Sequence, residues 1–129
     1  SMIGYKSEKY REFGWFAARF DDLINFVPAR MTALLMVVLS LSPRGLAYIF
    51  RFGHQHSSPN AGYPESALAG ILNCRFGGSN VYHGQLVEKP YIGTNPRPLT
   101  DSDFRKACFL NFFTCLVFVG LICAAMIFL

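Results

Sequence analysis

The chain has 129 residues, 52% of them hydrophobic, and carries a formal net charge of +4. That length suits one ordinary domain with a modest core and argues against a two-domain soluble enzyme. The basic residues are scattered, with no run of five or more and no stripe interleaved with aromatics, which argues against nucleic acid as a partner.

In chain order, residues 7–42 form the first unit. Its opening, "SEKYREFGWFAARFDDLINF", sets Phe13, Phe16, Phe20, Leu23 and Val27 at steps of three and four, the apolar face of a helix. Pro28 removes one backbone donor and is expected to bend that helix. Beyond it, "MTALLMVVLSL" is uncharged. The apolar stretch from Leu23 to Leu41 contains Asn25 and Arg30, and an arginine near a bilayer centre costs about 2.5–3.5 kcal/mol. The segment is therefore expected to re-enter the bilayer, pack among other helices or lie in the interface, not to span as a lipid-exposed helix.

Residues 43–106 hold six of the seven prolines and most of the glycines, and read as a polar loop with short elements. "PRGLAYIFRFG" predicts a short helix from Pro43 that stops at Gly53. "YPESALAGILNCRFGG" predicts another, with Pro64 in its first turn, Glu65 near the positive end of its dipole, and Gly77 and Gly78 as the stop. "NVYHGQLVEKPYIG" allows a hairpin around Gly84, and "LTDSDFRKA" opens a last helix capped by Thr100 or Asp101.

The final unit, Ala107 to Leu129, has no charge. At about 1.5 Å per residue it reaches ~34 Å, enough to cross a hydrocarbon core of about 30 Å. No basic n-region or cleavage site marks it as a signal peptide. Arg105 and Lys106 just before it put the 43–106 loop in the cytoplasm and the C-terminus outside by the positive-inside rule. Cys108, Cys115 and Cys123 share one face of this helix and Cys74 stands alone, so neither a disulfide framework nor a zinc site is expected. The fold class is mainly α: an integral membrane protein with a C-terminal transmembrane helix, a kinked membrane-associated helix and a polar cytoplasmic loop with short helices.

Three stretches hold residues that could carry chemistry. In "FDDLINFVPAR", Asp21 and Asp22 project with Asn25 at helical spacing and Arg30 follows. Paired carboxylates suit a hard cation such as Mg²⁺ and an arginine suits a phosphate, although solvated acids and a snorkelling arginine would look the same. In "RFGHQHSSPNAGYPE", Ser57, Ser58 and Asn60 offer donors and Gly62 allows a close backbone approach ahead of a helix N-terminus, which is anion-binding chemistry. An ordinary turn and helix cap would use the same residue types. In "RFGGSNVYHG" with "EKPYIG", paired glycines precede Ser79 and Asn80, and Lys89 supplies a cation, although paired glycines more often form a turn.

Taken in this order, "SMIGYKSEKYREFGWFAARFDDLINFVPARMTALL", "HSSPNAGYPESALAGILNCRFGGSNVYHG" and "EKPYIG" resemble the adenosylcobinamide-phosphate synthase family of cobalamin biosynthesis, the CobD/CbiB membrane proteins. The resemblance runs to about Asp103 and is most specific in DDLxNxxPAR (Asp21 to Arg30) and SPNAGxPE (Ser58 to Glu65). Family members are longer, so it implies one unit, the C-terminal portion of a multi-pass enzyme of the cell membrane, without its N-terminal helices. It also implies an ATP- and Mg²⁺-dependent ligase that joins adenosylcobyric acid, a corrinoid, to aminopropanol phosphate. Asp21, Asp22 and Glu65 would take the metal or general-base roles, with Mg²⁺ at Asp21 and Asp22, and His56 would carry protons. Arg30, Asn25, Ser58, Asn60, Gly62 and Lys89 would hold substrate phosphate. No GxxxxGK loop is present, so a nucleotide site of the P-loop kind is not expected. The alternatives are a non-catalytic membrane sensor or assembly component, and a membrane phosphotransferase.

Overall fold

Two helices, α1 (Arg11–Ile24) and α2 (Phe26–Ser40), open the computed structural model, which describes residues 11–82 and 85–128. They meet at 42° across Asn25, so the bend lies three residues before the expected Pro28. The reason is the ring itself: Pro28 has no N–H for the carbonyl of Ile24 and crowds it, so the ladder fails in the turn preceding the proline. Asn25 bridges the gap, its backbone N–H and its Nδ2 each donating to the Asp21 carbonyl at 3.0 Å. The expected helix start before Arg11 and the Phe13 side chain lie outside the described residues. At the other end, Leu41 takes the left-handed region (φ 49°) and closes α2. Together α1 and α2 are long and apolar enough to form a broken span or a re-entrant pair.

The segment read as a polar loop supplies much of the core. Helix α3 (Pro43–Phe52) starts on Ser42, whose Oγ accepts the Gly45 N–H at 3.1 Å, and ends at Gly53 as expected. Helix α4 (Gly62–Leu72) runs antiparallel to it, with Gly70 against Gly45 at one end and Gly62 against Gly53 at the other. A Cβ on Gly70 would lie 2.6 Å from the Gly45 Cα, and one on Gly62 2.3 Å from the Gly53 oxygen. These glycines bring two helices into backbone contact, which is why their abundance does not mark irregular structure here. Helix α2 packs on the pair, and Ala33, Met36, Val37, Ile49 and Ala67 form one apolar cluster with Leu110 at its edge. Tyr48, Phe52, Ala69 and Ile92 form a second.

The α4 stop falls at Asn73, before the expected Gly77 and Gly78. Asn73 adopts φ 53°, which asparagine tolerates better than most residues, and the Cys74 N–H returns to the Ala69 carbonyl at 3.0 Å. Gly77 and Gly78, at φ 87° and 89°, instead turn the chain into an antiparallel hairpin of β1 (Asn80–Tyr82) and β2 (Gln85–Val87). Its turn, with Gly84, lies outside the described residues.

Helix α5 (Asp101–Phe128) begins with a reciprocal cap. The Thr100 N–H donates to Asp103 Oδ2 at 2.9 Å and the Asp103 N–H to Thr100 Oγ1 at 3.3 Å. Arg97 forks onto both Asp103 oxygens (2.7 and 2.8 Å) and also donates to the carbonyls of Leu72 and Asn73. One guanidinium therefore ties the negative end of α4 to the positive end of α5. Asp103 lies in the polar first turn, ahead of the uncharged stretch. The Arg97 hydrogen bonds, then those from Thr100, hold its carboxyl well below the usual carboxylate range. Beyond Thr114 no described residue of α5 is buried. The helix is long and apolar enough to cross a membrane.

Candidate functional site

The turn between α3 and α4 organises the residues singled out above. Ser58 anchors it: its Oγ accepts the N–H groups of Asn60 and Ala61 at 3.4 Å each, and its own N–H donates to His56 Nδ1 at 2.9 Å. With Nδ1 accepting, the imidazole proton sits on Nε2, which lies 3.7 Å from Glu65 Oε2. His56 and Glu65 are 28% and 31% exposed, so solvent screens the pair and its worth is positional rather than stabilising. Both line a polar cleft of about 370 Å³, together with Ser57, Glu88 and Lys89. The cleft thus gathers two carboxylates, an imidazole with defined donor and acceptor nitrogens, an ammonium and a hydroxyl.

A second group sits at the α1–α2 bend. Asn60 is buried, with Nδ2 donating to the Asp22 carbonyl at 2.8 Å and Oδ1 accepting from Arg30 Nη1 at 3.4 Å. The Arg30 guanidinium is sandwiched between the rings of Phe26 and Tyr63, at 3.4 and 4.1 Å from their centroids. Its Nη1 also donates to the Phe26 carbonyl at 2.7 Å, which leaves Nε and Nη2 for an anion. Asp21 Oδ1 accepts from Asn25 Nδ2 at 3.0 Å. The structure therefore joins Asp21, Asp22, Asn25, Arg30 and Asn60 in one group and His56, Glu65 and Lys89 in another. Ser58 lies between them, and Gly62 is pressed against Gly53.

Among the described residues no three acid, histidine or cysteine side chains converge on one point. Asp21 and Asp22 are successive helix residues, about 100° apart around the axis. Mg²⁺ keeps several waters and takes one or two carboxylates plus substrate phosphate. At most one or two carboxylates at the bend would contribute to such a shared site, and they build no cage of protein alone.

Glu65 has a second face. It lines an apolar groove of about 540 Å³ between α2, α4 and α5, to which α5 contributes Phe104, Ala107, Cys108 and Asn111. Sequence reasoning passed over Asn111, Tyr63, Glu88 and the Arg97–Asp103 pair. Asn111 had a signal, since it is the one amide in the 23-residue uncharged stretch. Tyr63 had none, because ring stacking on an arginine 33 positions away is a tertiary contact.

Comparison with known proteins follows the same residues. A family profile described as CobD/Cbib protein matches residues 1–111. A cobalamin biosynthesis protein CobD of Clostridium perfringens is 44% identical over 132 aligned positions, covering 98% of this chain and 41% of the relative. The protein of that name in Desulfotalea psychrophila is 49% identical over 119 positions, covering 88% and 36%, and that of Geobacter metallireducens 51% over 110, covering 81% and 35%. The chain thus spans about two-fifths or less of the length of these relatives. No solved structure matches it.

Proposed function

The chain belongs to the CobD/CbiB family, and from that premise we propose that it forms part of a membrane ligase of cobalamin biosynthesis, which joins adenosylcobyric acid to aminopropanol phosphate through an amide bond. A carboxylate oxygen must first become a leaving group, and ATP with Mg²⁺ supplies the phosphoryl that makes it one. The amine must then be neutral when it attacks the carbonyl carbon; as the C–N bond forms, phosphate leaves and a base takes the amine proton. Glu65 is that base, with the His56 imidazole beside it, Nε2 lying 3.7 Å from Oε2. Lys89, across the cleft, holds the phosphate of the amine substrate. At the bend, Asp21 and Asp22 would hold Mg²⁺ and Arg30 would meet the nucleotide phosphates with Nε and Nη2.

The observation that carries this reading is the convergence of Glu65, His56 and Lys89 on one polar cleft. In this arrangement α5 crosses the bilayer with Arg105 and Lys106 at the cytoplasmic face, and α1–α2 enters the membrane as a bent pair. The test is complementation of a strain lacking the amide-forming step, using the full-length gene. The wild type restores corrinoid production from cobyric acid, and Glu65→Gln and Asp22→Asn do not. Normal production from both variants would remove the site assignment, and failure of the wild type would remove the ligase.

A further inference from the structure

We propose that Glu88 binds the ammonium end of the amine substrate in the polar cleft, and so selects a phosphate that carries an amine over a phosphate alone. The name of that amine rests on the ligase reading, whereas the ligand class follows from the cleft itself. Its two walls come from different parts of the chain. The α3–α4 turn and the first turn of α4 bring His56, Ser57 and Glu65, and the segment after β2 brings Glu88 and Lys89. That second wall is tied to the body of the protein. The Gly78 N–H donates to the Lys89 carbonyl at 3.2 Å, and Phe76 and Ile92 exchange backbone hydrogen bonds of 2.8 and 3.0 Å. Ile92 is itself buried in the second apolar cluster. Glu88 is exposed and takes no part in that core, so its backbone is held while its carboxylate is open to a ligand.

The charges decide what the cleft can take. Two carboxylates and one ammonium line it, with an imidazole and a hydroxyl. A purely anionic ligand would meet two like charges for one opposite charge. A ligand that is cationic at one end and anionic at the other meets both signs, and Glu88 and Lys89, adjacent in the chain, present both from one wall. An alkyl amine is such a cation, since like a lysine side chain it holds its proton to about pH 10. Holding that ammonium and taking its proton are separate tasks, and the cleft has a carboxylate for each. Glu88 binds the charged amine, and Glu65 removes the proton when the C–N bond forms.

The test uses full-length protein in nanodiscs, titrated at equilibrium with aminopropanol phosphate and with propyl phosphate, which lacks the amine. The wild type is expected to bind the amine phosphate more tightly. Glu88→Gln is expected to lose about three- to tenfold of that preference, the worth of a charged hydrogen bond discounted for solvent at an exposed carboxylate. Glu88→Asp keeps the charge and restores much of the loss. Kinetics then divide the two carboxylates. Glu88→Gln raises KM for the amine by a similar factor, more than it lowers kcat, and leaves KM for adenosylcobyric acid unchanged, whereas Glu65→Gln acts on kcat. An unchanged preference in Glu88→Gln, equal binding of the two phosphates by the wild type, or an equal rise in both KM values overturns the inference. Failure of the ligase reading is read separately. A wild type that forms no amide but binds the amine phosphate through Glu88 keeps the site without the reaction. Amide formation at an unchanged amine KM in Glu88→Gln keeps the reaction and removes Glu88 from it.

Discussion

Asn60 shows how one side chain can be committed before any ligand arrives. Its amide nitrogen satisfies the Asp22 carbonyl and its oxygen accepts from Arg30, so in this structure it latches the α3–α4 turn onto the helix bend. Asn60→Ala would leave the Asp22 carbonyl unpaired and remove the weaker of two hydrogen bonds from Arg30 Nη1, and is expected to cost about 1–3 kcal/mol, read as a shift in the denaturation midpoint. Glu65→Gln, by contrast, should leave stability nearly unchanged, because its exposed partner contributes little. A loss in Glu65→Gln as large as that in Asn60→Ala would contradict this division of roles. Asp103 gives a pH signature. Its folded pKa is depressed, so its contribution to stability is complete above the unfolded carboxylate value of about 4 and fades as pH falls below that value. Asp103→Asn should be less stable at pH 7 and show a flatter fall in stability below about pH 4; parallel pH profiles for the two proteins would refute the link. At this scale the candidate chemistry was legible wherever residue type alone announces it, as in Asp21, Asp22, His56 and Glu65, whose roles as metal ligands, proton carrier and base are proposals. It was hidden where a side chain's role depends on what the fold brings to it, as with Tyr63 against Arg30 and Arg97 against Asp103.

Among the elements, the glycine contacts between α3 and α4 carry the clearest consequence. Gly70→Ala places a methyl group 2.6 Å from the Gly45 Cα. Backbone must move to admit it, with an expected loss of about 1–3 kcal/mol. Ser42→Ala removes the α3 cap and should cost about 1 kcal/mol. Thermal unfolding in a mild detergent measures both, and an unchanged midpoint in Gly70→Ala would mean that the crossing is looser than its geometry. The same elements mark how far sequence reading reached. Pro43 and Gly53 bounded α3, and the Thr100 cap began α5, because each signal acts within one turn of the chain. The bend moved to Asn25 because the carbonyl that Pro28 cannot serve, that of Ile24, lies one turn upstream. The α4 stop moved to Asn73 because an asparagine in the left-handed region ends a helix as well as a glycine. The density of the 43–106 segment was missed because glycine looks the same in sequence whether it loosens a loop or lets two helices touch.

For the whole molecule, the uncovered surface is the main feature. Trp15, Phe16, Phe20 and Leu23 on α1 and the outer half of α5 are exposed, an area of apolar surface that water alone would not leave open. Gly120 gives a test of the membrane reading. Nothing lies within 4 Å of the place its Cβ would take, so a side chain there meets no wall of this chain. Gly120→Arg should still cut membrane insertion, at a cost of about 2.5–3.5 kcal/mol in an insertion assay; full insertion would argue that α5 does not lie in the bilayer. The central claim, that Glu65 is the base of an amide-forming site, is tested most directly by product formation from purified full-length protein in nanodiscs, supplied with adenosylcobyric acid, aminopropanol phosphate, ATP and Mg²⁺. The wild type is expected to form adenosylcobinamide phosphate, and Glu65→Gln to do so at a rate reduced about 100-fold or more with corrinoid binding retained. Turnover at the wild-type rate by Glu65→Gln would contradict it.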